Sequence, residues 1–179
     1  MNTKKTLCLC LCMMTLAACK NEVTTTAGDY TYKTSGTVEI TSTLADGTSH
    51  HQRVTLPDET GQLQVINLHS GDSLLLLFNQ LGGSAWQSTA TVKDKQLTFP
   101  SYEHTLALTV EDIRFDTLPV TSTVVRDSVH QREVFDCTVS GTGHTYDDAI
   151  VLTLQYEGTS RTSTKTLKGT DIQTIAKRN

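Results

Sequence analysis

The chain has 179 residues with 15 basic and 19 acidic side chains, a net charge of −4, and aromatics make up only 6% of it. An acidic balance with no basic stripe interleaved with aromatics excludes nucleic acid as a partner and gives no electrostatic hold on anionic lipid. The length is enough for one domain with a proper core.

The chain opens Met1-Asn2-Thr3-Lys4-Lys5, runs through an apolar stretch from Leu7 to Leu16, and reaches Ala17-Ala18-Cys19. A basic start, a short apolar run and small residues before a cut are the three parts of a secretory signal. The run is too short to span a bilayer, which takes about 20 residues of helix. Leu16-Ala17-Ala18-Cys19 looks like a lipobox, so residues 1–18 are expected to be removed and Cys19 to carry lipid. Two or more acyl chains hold a protein at a membrane essentially permanently. Without Lys4 and Lys5 the 15 basic residues fall to 13 against 19 acidic, a balance of −6.

Three of the 5 cysteines (Cys8, Cys10, Cys12) leave with the signal and Cys19 is the anchor, so Cys137 remains alone and no internal disulfide is expected. Its alternation in Val134-Phe135-Asp136-Cys137-Thr138-Val139 predicts a buried, inert thiol.

Residues 19–35, with Thr24-Thr25-Thr26, read as a lipidated polar tether, and residues 36–179 as a single all-β domain. Val38, Ile40 and Leu44 alternate with threonines and Glu39, a period of two. Ala45-Asp46-Gly47-Thr48 reads as a hairpin turn, and Pro57-Asp58-Glu59-Thr60-Gly61 as a second turn. Strands follow over Gln62–Leu68, Leu74–Phe78, Trp86–Val92, Leu97–Phe99, Leu106–Val110, Val134–Val139 and Ile150–Tyr156, with turns at Ser70-Gly71-Asp72 and Asp94-Lys95. No segment keeps a helical period; Ile172 and Ile175 fit either one helical turn or a last strand. Many short strands at regular spacing predict an antiparallel meander, with a barrel preferred over a β-sandwich.

Val139-Ser140-Gly141-Thr142-Gly143, Leu152 to Ser160 and the terminal Ile175 to Asn179, together with Asp29-Tyr30 and Ser35-Gly36-Thr37-Val38, resemble small lipoproteins of Bacteroidetes, some of them calycin-like or lipocalin-like. The resemblance implies a compact antiparallel barrel on a lipid tether, with no catalytic residue to carry over. The lipocalin Gly-x-Trp signature is absent, since Thr37 and Val38 follow Gly36 and Trp86 lies mid-chain. Asp72-Ser73-Leu74, Asp116-Thr117-Leu118 and Asp127-Ser128-Val129 resemble the O-glycosylation acceptors of the same group. That makes Ser73, Thr117 and Ser128 candidate sugar sites, with Thr117 and Ser128 expected in loops.

The residues nominate no catalytic set, metal or cofactor. His50 and His51 point to opposite faces of a strand, and His69, His104, His130 and His144 lack the spacings of a zinc site and read as surface residues. Adjacent acids at Asp58-Glu59, Glu111-Asp112 and Asp147-Asp148 read as solvated turns. No Gly-x-Ser-x-Gly elbow is found.

Ile40, Trp86, Leu106, Leu108, Leu152 and Leu154 all sit on apolar strand faces and are expected to line one interior, against a small apolar ligand if space is left. Met1, Met13 and Met14 all fall in the signal, so the adaptable filler of promiscuous pockets is missing and a filled core is favoured. The expected role is a non-enzymatic binding or interaction module on the cell envelope, partnered by the membrane through Cys19 and by a small apolar ligand or an envelope protein. The alternatives are a structural accessory lipoprotein without a small ligand and, more remotely, a hydrolase. Lys20 after the anchor, where aspartate would retain a lipoprotein at the inner membrane, points to the outer membrane.

Overall fold

The computed structural model describes residues 22–81, 85–117 and 124–179. Cys19 and the expected signal, residues 1–18, lie outside them. Among the described residues one short helix, α1 (Glu22–Thr26), precedes eleven strands: β1 (Gly28–Ser35), β2 (Thr37–Thr43), β3 (Ser49–Thr55), β4 (Glu59–Asn67), β5 (Ser73–Gln80), β6 (Ala85–Lys93), β7 (Gln96–Thr98), β8 (Tyr102–Thr117), β9 (Val124–Thr145), β10 (Ala149–Ser160) and β11 (Thr166–Arg178). The fold is all-β, as the period-two alternation predicts.

Eight strands close a barrel in the order β1-β4-β5-β6-β7-β9-β10-β11, and β11 returns to β1 through the pairs from Tyr30↔Arg178 to Ser35↔Gln173. All pairings are antiparallel, and the order is a meander interrupted by two excursions, the β2–β3 hairpin and β8. The expected tether over 19–35 is thus corrected for residues 28–35, which form β1. Tyr30, Tyr32 and Thr34 face inwards with polar residues between them, and this strand closes the barrel. Its polar outer face made it read as unstructured.

The excursions build a second storey. β11 pairs with β1 over Gln173 to Arg178 and with β2 over Thr166 to Lys168. The switch falls at a bulge: Leu154 pairs with Ile172, but Tyr156 pairs with Gly169. The extra residue leaves Thr170 and Asp171 both outside and lets Gly169 and Ile172 both point in. Gly36, between β1 and β2, packs onto this bulge; a Cβ there would lie 3.0 Å from the Ile172 Cα.

β9, 22 residues long, runs through both storeys, pairing with β7 at Thr142 to His144 and with β8 from Val124 to Val139. The upper sheet β3-β2-β11-β10-β9-β8 curls until its edges meet, where the Glu111 N–H donates to Gln52 Oε1 at 2.9 Å.

The opposite end of the barrel is capped by α1. Val23 is fully buried, the Tyr30 hydroxyl donates to the Thr26 carbonyl at 2.7 Å, and the Arg178 guanidinium donates to the carbonyls of Thr25 and Ala27. The Asp94-Lys95 turn has both residues at positive φ, the geometry of a two-residue hairpin. Its Lys95 N–H donates to Glu22.

Candidate functional site

The expected interior set is divided by the fold. Trp86, Leu152 and Leu154 share the lower barrel's interior with Tyr32, Thr34, Glu59, Phe78, Tyr102, His104, Tyr156 and Thr174. Ile40 and Leu108 are buried on β2 and β8, which lie outside the closed ring, and Leu106 is half-buried at the mouth. All six nonetheless pack into one apolar core that runs through both storeys, with Trp86 and Leu106 only partly buried against it. Alternation assigns a face, while the storey depends on where each strand leaves the ring.

The lower interior is filled. Its residual void is about 10 Å³, room for one water at most. Phe78 and Trp86 stack at 4.0 Å, Trp86 and Tyr102 at 4.2 Å, and Tyr32 meets Phe78 edge-on at 5.2 Å. The stack closes a seam. β6 pairs with β7 only over Thr91 to Lys93, and no ladder joins its upper half to β8 among the described residues. Trp86 and Tyr102 bridge that gap with their side chains.

Above the stack the mouth becomes polar. The Tyr32 hydroxyl donates to Glu59 Oε1 at 2.9 Å, and the hydroxyls of Tyr102 and Tyr156 hydrogen-bond to each other. Burial first, and then the Glu59 charge, hold the hydroxyls of Tyr32 and Tyr156 protonated well above the ordinary tyrosine range. Tyr102 shifts the same way through burial, then Tyr156 and Glu59. His104 packs edge-on to Tyr156 at 6.0 Å, and burial outweighs the pull of Glu59 to set its pKa below the ordinary value.

From this floor a side cavity of about 200 Å³ opens between the storeys. Leu56, Pro57, Leu106 and Ala107 supply apolar walls, and Thr34, Asp58, Glu59, Gln80, His104 and Tyr156 supply polar groups. A further hollow, between Glu39, Arg53, Lys168 and Asp171, is an open groove on an outward sheet face.

Two readings from the sequence change here. Glu59 is not a solvated turn acid; it opens β4 opposite Thr34 and bonds Tyr32. His104 is no surface residue, for it shares the inward face of β8 with Tyr102, Leu108 and Val110. The parity of His104 with those neighbours was the available signal.

The register sets His104 opposite Cys137 on β9, the neighbour that sequence could not supply. The surroundings of the pair disfavour a thiolate. Burial, then Asp136 and Glu103, push the fully buried thiol up to about 11, while the imidazole shifts down, so neither charge of a thiolate–imidazolium pair is favoured.

The upper storey holds a buried ion cluster that sequence reading missed. Lys165 Nζ, its side chain 6% exposed, lies 3.3 Å from Glu133 Oε2 and 3.2 Å from Asp112 Oδ1. Glu133 Oε1 accepts from the hydroxyls of Ser160, Thr162 and Ser163. Burial opposes the Glu133 charge, but these hydroxyls and Lys165 prevail and hold its pKa near 2. The cluster locks the β10–β11 turn onto β9. With every partner internal, it reads as structural.

Ser73 is half-buried at the start of β5, and Ser128 is exposed on β9, where its N–H donates to Asp127. Thr117 ends β8. Ser128 and Thr117 therefore lie on paired strands of one hairpin and not in loops. Among the described residues no group of three or more His, Cys, Asp or Glu side chains could hold a metal.

No family model matches the chain, and neither a curated protein nor a solved structure matches it.

Proposed function

We propose that the chain is a lipid-anchored envelope lipoprotein of the calycin-like barrel type that works as a non-enzymatic interaction module, not as a carrier of apolar ligands. The observation that carries this reading is the filled interior. A barrel of this size either packs its axis with side chains or leaves room for one small ligand, and about 10 Å³ leaves no such room. The pairing of a raised thiol pKa with a lowered imidazole pKa argues against hydrolysis at Cys137.

Orientation follows from the anchor. Lipid at Cys19 stands three residues before Glu22, a reach of about 10 Å even when extended. The α1 end then faces the membrane, and the mouth and the β8–β9 hairpin face away from it. On the outer wall Ile66 and Leu68 are exposed, with Leu75 half-buried and paired to Ile66, an apolar stripe suited to a protein partner. Outer-membrane attachment, favoured by Lys20, belongs to the same reading.

Mass spectrometry of the natively expressed protein tests it. The denatured mass should equal residues 19–179 plus a lipid on Cys19, and Cys19→Ala should leave unprocessed precursor. The native mass should carry no additional bound lipid. Sugar on Thr117, Ser128 or Ser73 would add discrete mass. A copurifying apolar ligand at one equivalent would overturn the reading.

A further inference from the structure

We infer that the cavity between the storeys binds a primary alkylammonium group, its head on Glu59 and its stem against Leu56, Pro57 and Leu106. The inference rests on the interaction-module reading and names the chemistry that the mouth recognises.

The first observation is an unbalanced charge. Glu59 is half-buried, accepts one hydrogen bond from Tyr32, and has no cationic partner among the described residues. Lys33, on the paired strand β1, is engaged 2.7 Å away by the exposed Asp58. His104 is the only other titratable base lining the cavity, and its burial favours the neutral form. A carboxylate partly shielded from water and without a counter-charge attracts a cation.

The second observation is shape. The cavity holds about 200 Å³, short of the roughly 300–1,000 Å³ of drug-sized pockets but enough for a lysine-length chain. Its apolar walls suit the methylenes of an amphipathic cation, which lies along apolar surface with its charge at a polar tip. Gln80 and Asp58, which also line the cavity, offer acceptors for the remaining N–H groups. An anion would meet Glu59 and Asp58, and a neutral alkyl group would leave Glu59 desolvated and unpaired.

Two sources present this group: a lysine side chain on a protein partner, or a free small amine. Calorimetry and amide NMR shifts on the full chain separate them, with n-pentylammonium, n-pentanol and a blocked Gly-Lys-Gly tripeptide as probes. Pentylammonium should saturate and shift the amides of Leu56, Asp58, Glu59 and His104 to Ala107, while pentanol should not.

Glu59→Gln, which keeps an acceptor for Tyr32, should weaken binding at least about tenfold. Leu106→Phe, which fills the cavity and keeps Glu59, should abolish it and covers the case of a misfolded Glu59 variant. Tripeptide binding assigns the site to a protein lysine, and binding of the free amine alone assigns it to a small ligand. Equal binding of pentanol, an unchanged affinity in Glu59→Gln, or no saturation by about 10 mM overturns the proposal. Uptake of a fatty acid by the barrel would instead overturn the filled-interior reading and leave this result standing.

Discussion

The Trp86 indole lies 4.2 Å from the Tyr102 ring, with 20° between their planes, across a seam where, among the described residues, no ladder joins β6 to β8. Backbone ladders close the ring through the short β7, and this contact adds a side-chain closure between β6 and β8 beside it. Stacked aromatic pairs contribute about 0.5–1.5 kcal/mol beyond the area they bury. A double-mutant cycle of Trp86→Leu and Tyr102→Leu by urea unfolding should return a coupling of about 1 kcal/mol. Strict additivity of the two losses would show that the stack does not hold the seam.

The buried ion cluster should behave asymmetrically. Lys165→Met leaves Glu133, 2% exposed, without its counter-charge and should cost about 3–5 kcal/mol. Lys165→Met combined with Glu133→Leu should recover much of that loss. A double variant no more stable than Lys165→Met would show that the hydroxyl cage, and not the pair, sets the energy.

The same carboxylate makes stability depend on acid. Its folded pKa, near 2, is depressed from the ordinary 4.5, so its contribution is present above the ordinary value and is lost as pH falls from about 4.5 towards 2. The shift corresponds to on the order of 3 kcal/mol. Melting curves across that window should drop steeply for the native chain and more gently for Glu133→Gln. Parallel curves would refute the assignment.

Cys137 should be silent in the folded protein. Fully buried, with its thiol pushed up to about 11, it should resist iodoacetamide at pH 8 and react only on unfolding in guanidinium. Labelling of the native chain at the rate of a free thiol would contradict the description of the β8–β9 face.

Much of this fold was legible because half-buried strands alternate. Val38 and Ile40, the Gly47 turn and the Leu152–Leu154 face all follow from local pattern. β1 was hidden by composition, since Asp29, Thr31, Lys33 and Ser35 look like a tether unless Tyr30 and Tyr32 are read as the inward half of a strand. β9 was read as six residues because Asp127, His130, Arg132 and Glu133 break its apolar run. Pairing with β8 extends it regardless of propensity.

The mouth was not legible at all. Tyr32 meets Glu59, and His104 faces Cys137, only through register between distant strands, and no spacing in the chain encodes either contact. Glu133 and Lys165 share that origin, 32 residues apart and joined across the β10–β11 turn.

The central claim, a barrel filled along its axis, is tested most directly through Trp86, the one tryptophan and a member of the internal stack. A fluorescent fatty-acid analogue is titrated into the purified protein while Trp86 emission is followed. A void of about 10 Å³ predicts no saturable change at any stoichiometric ratio. Saturable quenching at one equivalent, lost when Leu154→Trp or Leu152→Phe adds bulk to the interior, would show an open cavity and contradict the account.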